Sequence, residues 1–186
     1  LVGSEMCIRH RAGVAFTGST QVAKIIHRAL AGKDGPIVPL IAETGGINAM
    51  IVDSTALPEQ VVADVITSSF RSAGQRCSAL RLLLVQADVA DNVIEMLKGA
   101  METLVLGATG NPTTDVGPVI DQAAYDKLMA YRASMVTQTI KTLDAPADGL
   151  FVPPTLIRLD RVEDLTQEWF GPILHVATWE AGTLSE

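Results

Sequence analysis

Basic residues are the minority charge in this sequence of 186 residues. It has 14 lysines and arginines against 21 aspartates and glutamates, which gives a formal net charge of −7 at pH 7. Proteins bind nucleic acid largely by neutralising phosphates with lysine and arginine, and this composition provides no basic face for that purpose. We therefore expect no nucleic-acid partner for this segment.

Long apolar runs are also missing. Apolar residues make up 48 % of the sequence and the mean hydropathy is +0.29, yet no uninterrupted apolar run approaches the roughly 18 to 20 residues that a membrane-spanning helix needs. We expect no membrane span. We interpret the surplus of apolar residues as surface that other parts of a longer protein cover.

Cysteine is rare: Cys7 and Cys77 are the only two. Their wide separation forms neither a disulfide framework nor a CxxC pattern, and no secretory leader is visible, so a cytoplasmic location is expected. The histidines at positions 10, 27 and 175 share no metal-ligand spacing with the cysteines, which predicts no metal site. The absence of a GxSxG sequence argues against a serine hydrolase.

Apolar spacing alternates between strand and helix periods, which predicts an α/β fold. Helices are predicted after Ser19, after Pro58 and after Asp121, and Asp88 is predicted to cap a fourth helix that runs to about residue 104. Strands are predicted at residues 14–16, 37–42, 49–52, 80–85, 151–157 and 171–176. Residues 80–85 are interpreted as a continuous apolar strand.

The turn at residues 17–20, Thr-Gly-Ser-Thr, resembles a P-loop in its spacing but lacks the lysine, because Ser19 occupies that place. An NTPase is therefore not predicted. What remains is a glycine turn at a helix N-terminus, where backbone N–H groups and the helix dipole attract a phosphate. The alternative is that Ser19 only caps the helix.

Glu43 ends an apolar run and precedes two glycines. A carboxylate in that position is a candidate general base in a partly dry cleft, since the glycines let the backbone approach a ligand. The alternative is a glutamate that points from a strand end into water.

Cys77 lies in the stretch "SAGQRCSA" at residues 72–79. A lone cysteine is commonly a small buried apolar residue. Here the neighbouring residues are small and Arg76 adds a positive charge, which favours a thiolate, and a helix that began at this point would favour it further. A reactive cysteine with a carboxylate elsewhere suggests covalent catalysis with a separate base.

Four short motifs occur in an order that resembles the NAD(P)-dependent aldehyde dehydrogenase superfamily. They are "FTGST" at 16–20, "ETGG" at 43–46, "GQRCSA" at 74–79 and "EWFGP" at 168–172. The longer wording around them, together with "GPVID" and "FVPPTLI", resembles the L-glutamate γ-semialdehyde (Δ1-pyrroline-5-carboxylate) dehydrogenase branch, as found in bifunctional proline utilization A proteins. The resemblance runs from about residue 12 to about residue 179, and residues 1–11 are expected to be non-native.

The resemblance implies a role for each motif. Cys77 would attack the aldehyde carbon, and Glu43 would activate the water that hydrolyses the resulting thioester. Cofactor contacts are implied for Gly18, Ser19, Thr44, Gly45, Glu168 and Phe170. Arg76 and Ser78 are implied contacts to the polar end of an aldehyde substrate. The fold implied is the C-terminal part of a Rossmann-type cofactor domain at residues 1–46, followed by an incomplete α/β catalytic domain at residues 47–186.

The implied cofactor is NAD, and NADP stays open because the family residues that meet the adenosine ribose lie upstream of this sequence. An oxyanion-hole asparagine, a loop that grips the substrate carboxylate and a strand that joins subunits also lie outside it. The resemblance therefore predicts that the segment alone is inactive, that the full-length protein is a homo-oligomer, and that a proline dehydrogenase domain can share its chain.

Three alternatives stay open at the level of the sequence. One is an aldehyde dehydrogenase of another substrate class. The second is a cysteine acyltransferase or hydrolase that uses Cys77 without a cofactor. The third is a non-catalytic scaffold with a degenerate site.

Overall fold

Residues 13–183 are described by the computed structural model, and the expectation for residues 1–11 lies outside them. Contacts divide the chain into two units, with the boundary in sequence between Gly46 and Ile47. Both units combine helices with mostly parallel strands, so the predicted α/β class is confirmed. Across the described residues, no helix combines the length and the apolar character that crossing a membrane requires.

The first unit is a strand, a helix and a strand: β1 (Val14–Gly18), α1 (Thr20–Ala31) and β2 (Leu40–Thr44). The two strands are parallel neighbours. The predicted helix start is confirmed, because the Ser19 side chain accepts a hydrogen bond from the Val22 N–H at 3.3 Å. β2 begins three residues later than predicted, after prolines at 36 and 39 that have no N–H to give to a ladder.

This first unit buries little of its own surface. Among residues 13–46 only Ala23 is buried. Ile37 is fully exposed and Ile41 is 63 % exposed. Exposed apolar side chains in such numbers are typical of surfaces that contact another part of a protein or a partner.

The second unit is a five-stranded sheet in the order β3-β4-β7-β6-β5, in which only the β5–β6 pair is antiparallel. Its strands are β3 (Asn48–Val52), β4 (Leu80–Gln86), β5 (Thr139–Thr142), β6 (Thr155–Arg158) and β7 (Ile173–Trp179). Its helices are α2 (Pro58–Phe70), α3 (Ala87–Met101) and α4 (Gln122–Ser134), with 3₁₀ turns at Arg71–Gly74 and Val162–Asp164. β7 is the central strand and β4 lies beside it, and they carry core residues such as Leu174 and Leu83, which are fully buried.

Several predicted boundaries in this unit need correction. α3 begins at Ala87 without a side-chain cap, and Asp88 sits inside its first turn, where it accepts a hydrogen bond from the Gln86 amide instead. The predicted strand at 151–157 starts only at Thr155, because Pro153 and Pro154 have no N–H donors. The edge strand β5 was not predicted, since its four polar and apolar residues give almost no periodic signal.

Candidate active site

The candidate residues of the first unit lie where β1 and β2 end. Gly18 is opposite Thr44 in the parallel ladder, and Thr17 is opposite Glu43. Parallel α/β sheets bind their ligands at the carboxyl ends of strands. The structure therefore brings Gly18, Ser19, Glu43, Thr44 and Gly45 to one edge of this small sheet, with Glu43 exposed.

The same edge has features that attract an anion. α1 begins there with its positive end, and its first turn holds no acidic residue that would repel an anion. Gly18 is the residue just before the helix cap, and it has no side chain. A Cβ at this position would lie 2.6 Å from the Phe16 ring, which is too close, so a larger residue would displace the ring. A cleft of about 650 Å³ within this unit is lined by Thr20, Thr44 and residues of α1.

Cys77 is exposed in the second unit. No helix begins at this residue, so that part of the expectation is wrong: Arg71–Gly74 forms a 3₁₀ turn before it, and β4 starts three residues after it. The intervening loop closes through a hydrogen bond from the Ala79 N–H to the Arg76 carbonyl at 3.0 Å. The thiol is therefore at the surface of a short loop that enters the central part of the sheet.

Asn48 holds the backbone of this loop in place, and sequence reasoning missed it. Its side-chain amide donates to the carbonyl of Cys77 at 2.7 Å and to the carbonyl of Ala79 at 2.9 Å. Asn48 can do so because it is the first residue of β3, opposite Leu80 at the start of β4. The available signal was a polar residue at the start of an apolar strand.

The approach to the cysteine loop is strained. Ser72, Ala73 and Gly74 all have positive φ, at 56°, 51° and 64°. For a residue with a side chain this left-handed conformation costs about 1 to 2 kcal/mol. Such strain is typical of functional sites. Gly74 is also in backbone contact, since a Cβ there would lie 2.2 Å from the Gly171 carbonyl oxygen.

Gly171 belongs to the loop at residues 168–171, which thus packs against the cysteine loop. A buried arginine links the two. Arg81 donates to the Gly171 carbonyl at 3.0 Å, to the Arg76 carbonyl at 3.2 Å and to Glu168 at 3.3 Å. Its guanidinium also lies 5.3 Å from the centre of the Phe170 ring. The interpretation of residues 80–85 as continuously apolar is therefore wrong at Arg81, and the charge inside that apolar run was the signal.

The loop at 168–171 is held from its other side by aromatic residues. Trp169 stacks on Tyr131, with ring centres 3.6 Å apart and planes 9° from parallel. The Tyr131 hydroxyl lies 2.8 Å from Nε2 of His175, and Nδ1 of His175 lies 3.0 Å from the Arg81 carbonyl. A carbonyl only accepts, so Nδ1 carries the proton and Nε2 accepts from Tyr131. Burial raises the pKa of Tyr131 to about 12, so its hydroxyl keeps the proton it donates.

Burial lowers the pKa of His175 to about 4, against a smaller opposing effect of its hydrogen bond to the Arg81 carbonyl. The folded value lies below the unfolded value of about 6.5, so the unfolded chain takes up this proton first as the pH falls. The neutral ring's contribution is therefore complete above pH 6.5 and is lost as the pH falls toward 4. We expect the free energy of unfolding to fall by about 3 kcal/mol through this group as the pH drops from 6.5 to 4, as measured by urea unfolding.

The matched comparison is His175→Gln against His27→Gln, because His27 is exposed on α1. The first variant should flatten the loss of stability between pH 6.5 and 4, and the second should leave it unchanged. Equal slopes in both variants would show that His175 does not titrate in this way.

The two predicted substrate contacts differ in position. Ser78 is exposed beside Cys77. Arg76 instead turns back to the end of α2, where its Nη2 donates to the carbonyls of Thr67 and Ser68 at 3.1 and 3.3 Å. A cavity of about 250 Å³ lies near the loops and is lined by Gln75, Phe170 and residues of α4. Among residues 13–183, no group of three or more metal-ligating side chains is present.

A sequence profile described as "Aldehyde dehydrogenase family" matches residues 2–183. The match includes residues 2–11, which the motif comparison left out. Among curated relatives, the bifunctional protein PutA of Klebsiella aerogenes is 49 % identical over an alignment of 187 residues that includes gaps, and the match covers 94 % of this chain and 14 % of the relative. The 1-pyrroline-5-carboxylate dehydrogenase of Staphylococcus saprophyticus is 34 % identical over 175 residues, which cover 89 % of this chain and 34 % of the relative.

Solved structures of proline utilization A also match this chain. The crystal structure of a proline utilization A mutant from Bradyrhizobium japonicum superposes with a TM-score of 0.92 at 56 % identity, over 99 % of this chain and 19 % of that one. The chain thus spans about a seventh of the length of the PutA relatives it matches.

Proposed function

Because the chain belongs to the aldehyde dehydrogenase family and has its fold, we propose that it forms part of an NAD-dependent enzyme that oxidises L-glutamate 5-semialdehyde to L-glutamate. Residues 1–46 would form the C-terminal part of the cofactor domain, and residues 47–186 would form the part of the catalytic domain that carries the thiol nucleophile. The substrate follows from the relatives named PutA and 1-pyrroline-5-carboxylate dehydrogenase. Other aldehydes are the competing substrate class.

The exposed thiol of Cys77 is the observation that carries this proposal. A sulfur meant only to fill a core would be buried. The backbone around it is fixed by Asn48 and by the turn bond between Arg76 and Ala79. A fixed loop with an accessible sulfur keeps the nucleophile in one geometry, which is what a near-attack arrangement needs.

The first chemical step is addition of the Cys77 thiolate to the aldehyde carbon. The C–S bond forms as the carbonyl π bond becomes an oxyanion, and the product is a thiohemiacetal. The Cys77 N–H is a candidate donor to that oxyanion. A nicotinamide held by the cofactor residues would supply a hydride acceptor, and loss of the hydride from this carbon would leave a thioester on Cys77.

Glu43 would act in the second step. Its carboxylate takes a proton from water as the water oxygen attacks the thioester carbon. The C–S bond then breaks, which releases glutamate and returns the Cys77 thiolate. The exposure of Glu43 at the end of β2 supports this role, since the base must reach solvent water.

The proposed cofactor contacts come from the strand ends of the first unit and from the loop at residues 168–171. Gly18 and Ser19 would hold the diphosphate at the start of α1, and the backbone of Thr44 and Gly45 would lie along the nicotinamide. Glu168 would accept from the nicotinamide ribose. Phe170, which is 42 % exposed, would pack beside the ring.

Partners and location are part of the same proposal. Relatives named bifunctional PutA support a proline dehydrogenase domain in the full-length chain. The family resemblance is the basis for proposing a homo-oligomer. A cytoplasmic location is supported by the cysteine content, which forms no disulfide framework.

The test is NADH formation by the full-length protein from L-glutamate 5-semialdehyde and from pentanal, which has the same chain length without the amino and carboxylate groups. We expect kcat/KM to favour the semialdehyde by at least about 100-fold, because a site built for polar groups rejects an analogue that lacks them. Equal values would point to another substrate class. Thioester hydrolysis without NADH formation from any aldehyde would support a cofactor-free cysteine hydrolase instead.

A further inference from the structure

Arg81 is the only charged residue among the buried residues in the described part of the sheet, and its strand lies beside the central one. It lies in β4, and its side chain is 1 % exposed. An arginine at this depth is costly unless its charge is paired and its N–H groups are bonded. Burial lowers its pKa, and the nearby Glu168 carboxylate opposes that change. Such a cost calls for a reason beyond filling the core.

The acceptors of Arg81 come from two loops that are far apart in sequence. Nη1 donates to the Gly171 carbonyl, 90 positions away, and Nη2 donates both to Glu168 and to the Arg76 carbonyl, five positions away. The planar fork of a guanidinium spreads its donors over two terminal nitrogens that reach acceptors on both loops, whereas a lysine ammonium has all its donors on one nitrogen. One side chain therefore sets the distance between the two loops.

Glu168 keeps one oxygen available in this arrangement. Its Oε1 accepts from Arg81, while no residue within 13–183 donates to Oε2. The side chain is 17 % exposed. A carboxylate held by one oxygen and open at the other is oriented to accept hydrogen bonds from a diol.

We propose that Arg81 is a positioning residue that joins the Glu168 loop to the nucleophile loop, orienting the Glu168 carboxylate for the cofactor ribose and fixing the backbone one residue before Cys77. This inference rests on the proposed function for the identity of the ligand. The contacts themselves do not depend on it. Arg81 touches neither substrate nor cofactor in this role and acts through the two loops.

The experiment compares Arg81→Lys and Arg81→Gln in the full-length protein. Calorimetry measures the Kd of NAD, steady-state kinetics separate KM from kcat, and the rate of iodoacetamide alkylation reports on Cys77. We expect the Kd and KM of NAD to rise about tenfold or more in both variants, since a charge-assisted contact is lost. We expect the alkylation rate to change about threefold or more, because the loop is no longer held.

The matched control is Arg161→Gln. Arg161 is 71 % exposed and pairs with Glu163 at 3.6 Å. The substitution therefore removes an arginine from an exposed ion pair. It should leave all three readouts unchanged. A purely structural role for Arg81 would lower the Tm and leave the Kd of NAD and the alkylation rate of the folded protein at the control's values, which would overturn the proposal.

Glu168→Gln tests the coupling without touching the buried arginine, in case the Arg81 variants do not fold. The proposal expects this change to alter the alkylation rate of Cys77 through Arg81, and an unchanged rate would overturn it. Alkylation and NAD binding need no turnover. If the alkylation rate and the Kd of NAD shift while no aldehyde yields NADH, the proposed function fails and the positioning role stands. If NADH forms and neither the alkylation rate nor the Kd shifts, the proposed function stands and the positioning role fails.

Discussion

Replacing Cys77 by alanine is expected to lower NADH formation by the full-length protein by at least about 10⁴-fold, because no other group in the proposed chemistry can form the thiohemiacetal. The measurement is the amount of NADH formed per enzyme in the first turnover and in the steady state. NAD binding should persist, since Cys77 is not among the predicted cofactor contacts.

Glu43→Gln is the informative comparison for this prediction. With the general base removed, the thioester still forms and its hydrolysis slows by about 10² to 10⁴. We expect one equivalent of NADH in a rapid first turnover and little afterwards. A rapid first turnover of NADH from Cys77→Ala would contradict the nucleophile assignment.

Replacing Gly74 by alanine is expected to destabilise the protein by about 2 to 4 kcal/mol, measured by urea unfolding. The added Cβ would lie 2.2 Å from the Gly171 carbonyl oxygen and 2.9 Å from the Ser69 carbonyl oxygen. Both are backbone atoms and cannot rotate away. The positive φ of 64° adds the strain of a left-handed residue with a side chain.

Gly99→Ala is the matched control for this substitution. Gly99 lies inside α3, and a Cβ there would meet nothing within 4 Å. Alanine should therefore stabilise the helix by about 0.5 to 1 kcal/mol. A loss below about 1 kcal/mol for Gly74→Ala would show that the two loops can separate at little cost, and would weaken the view that they act as one unit.

Local chemistry made part of this fold predictable. Ser19 and Asp121 cap helices as expected because their side chains bond to N–H groups three residues away. The α/β class followed from apolar spacing, which depends only on neighbours in sequence. β6 was misplaced where two prolines interrupted the pattern, and β5 was missed because a short edge strand buries too little to leave a pattern.

The candidate site was predictable as a set of motifs but not as a set of contacts. The order of the four motifs indicated the family and its residues. Arg81 and Asn48 were not predicted because the residues they bond to are distant in sequence. Gly171 is 90 positions from Arg81, and Cys77 is 29 positions from Asn48. Periodicity treats both residues as interruptions of apolar strands.

Mass spectrometry of the peptide that contains Cys77 tests most directly whether this thiol is the nucleophile. The full-length Glu43→Gln protein is mixed with L-glutamate 5-semialdehyde and NAD and quenched in acid within its first turnover, so that the thioester is preserved. We expect the glutamyl group on Cys77, and only when both compounds are present. NADH formation with Cys77 unmodified, or the acyl group on another residue, would contradict the assignment.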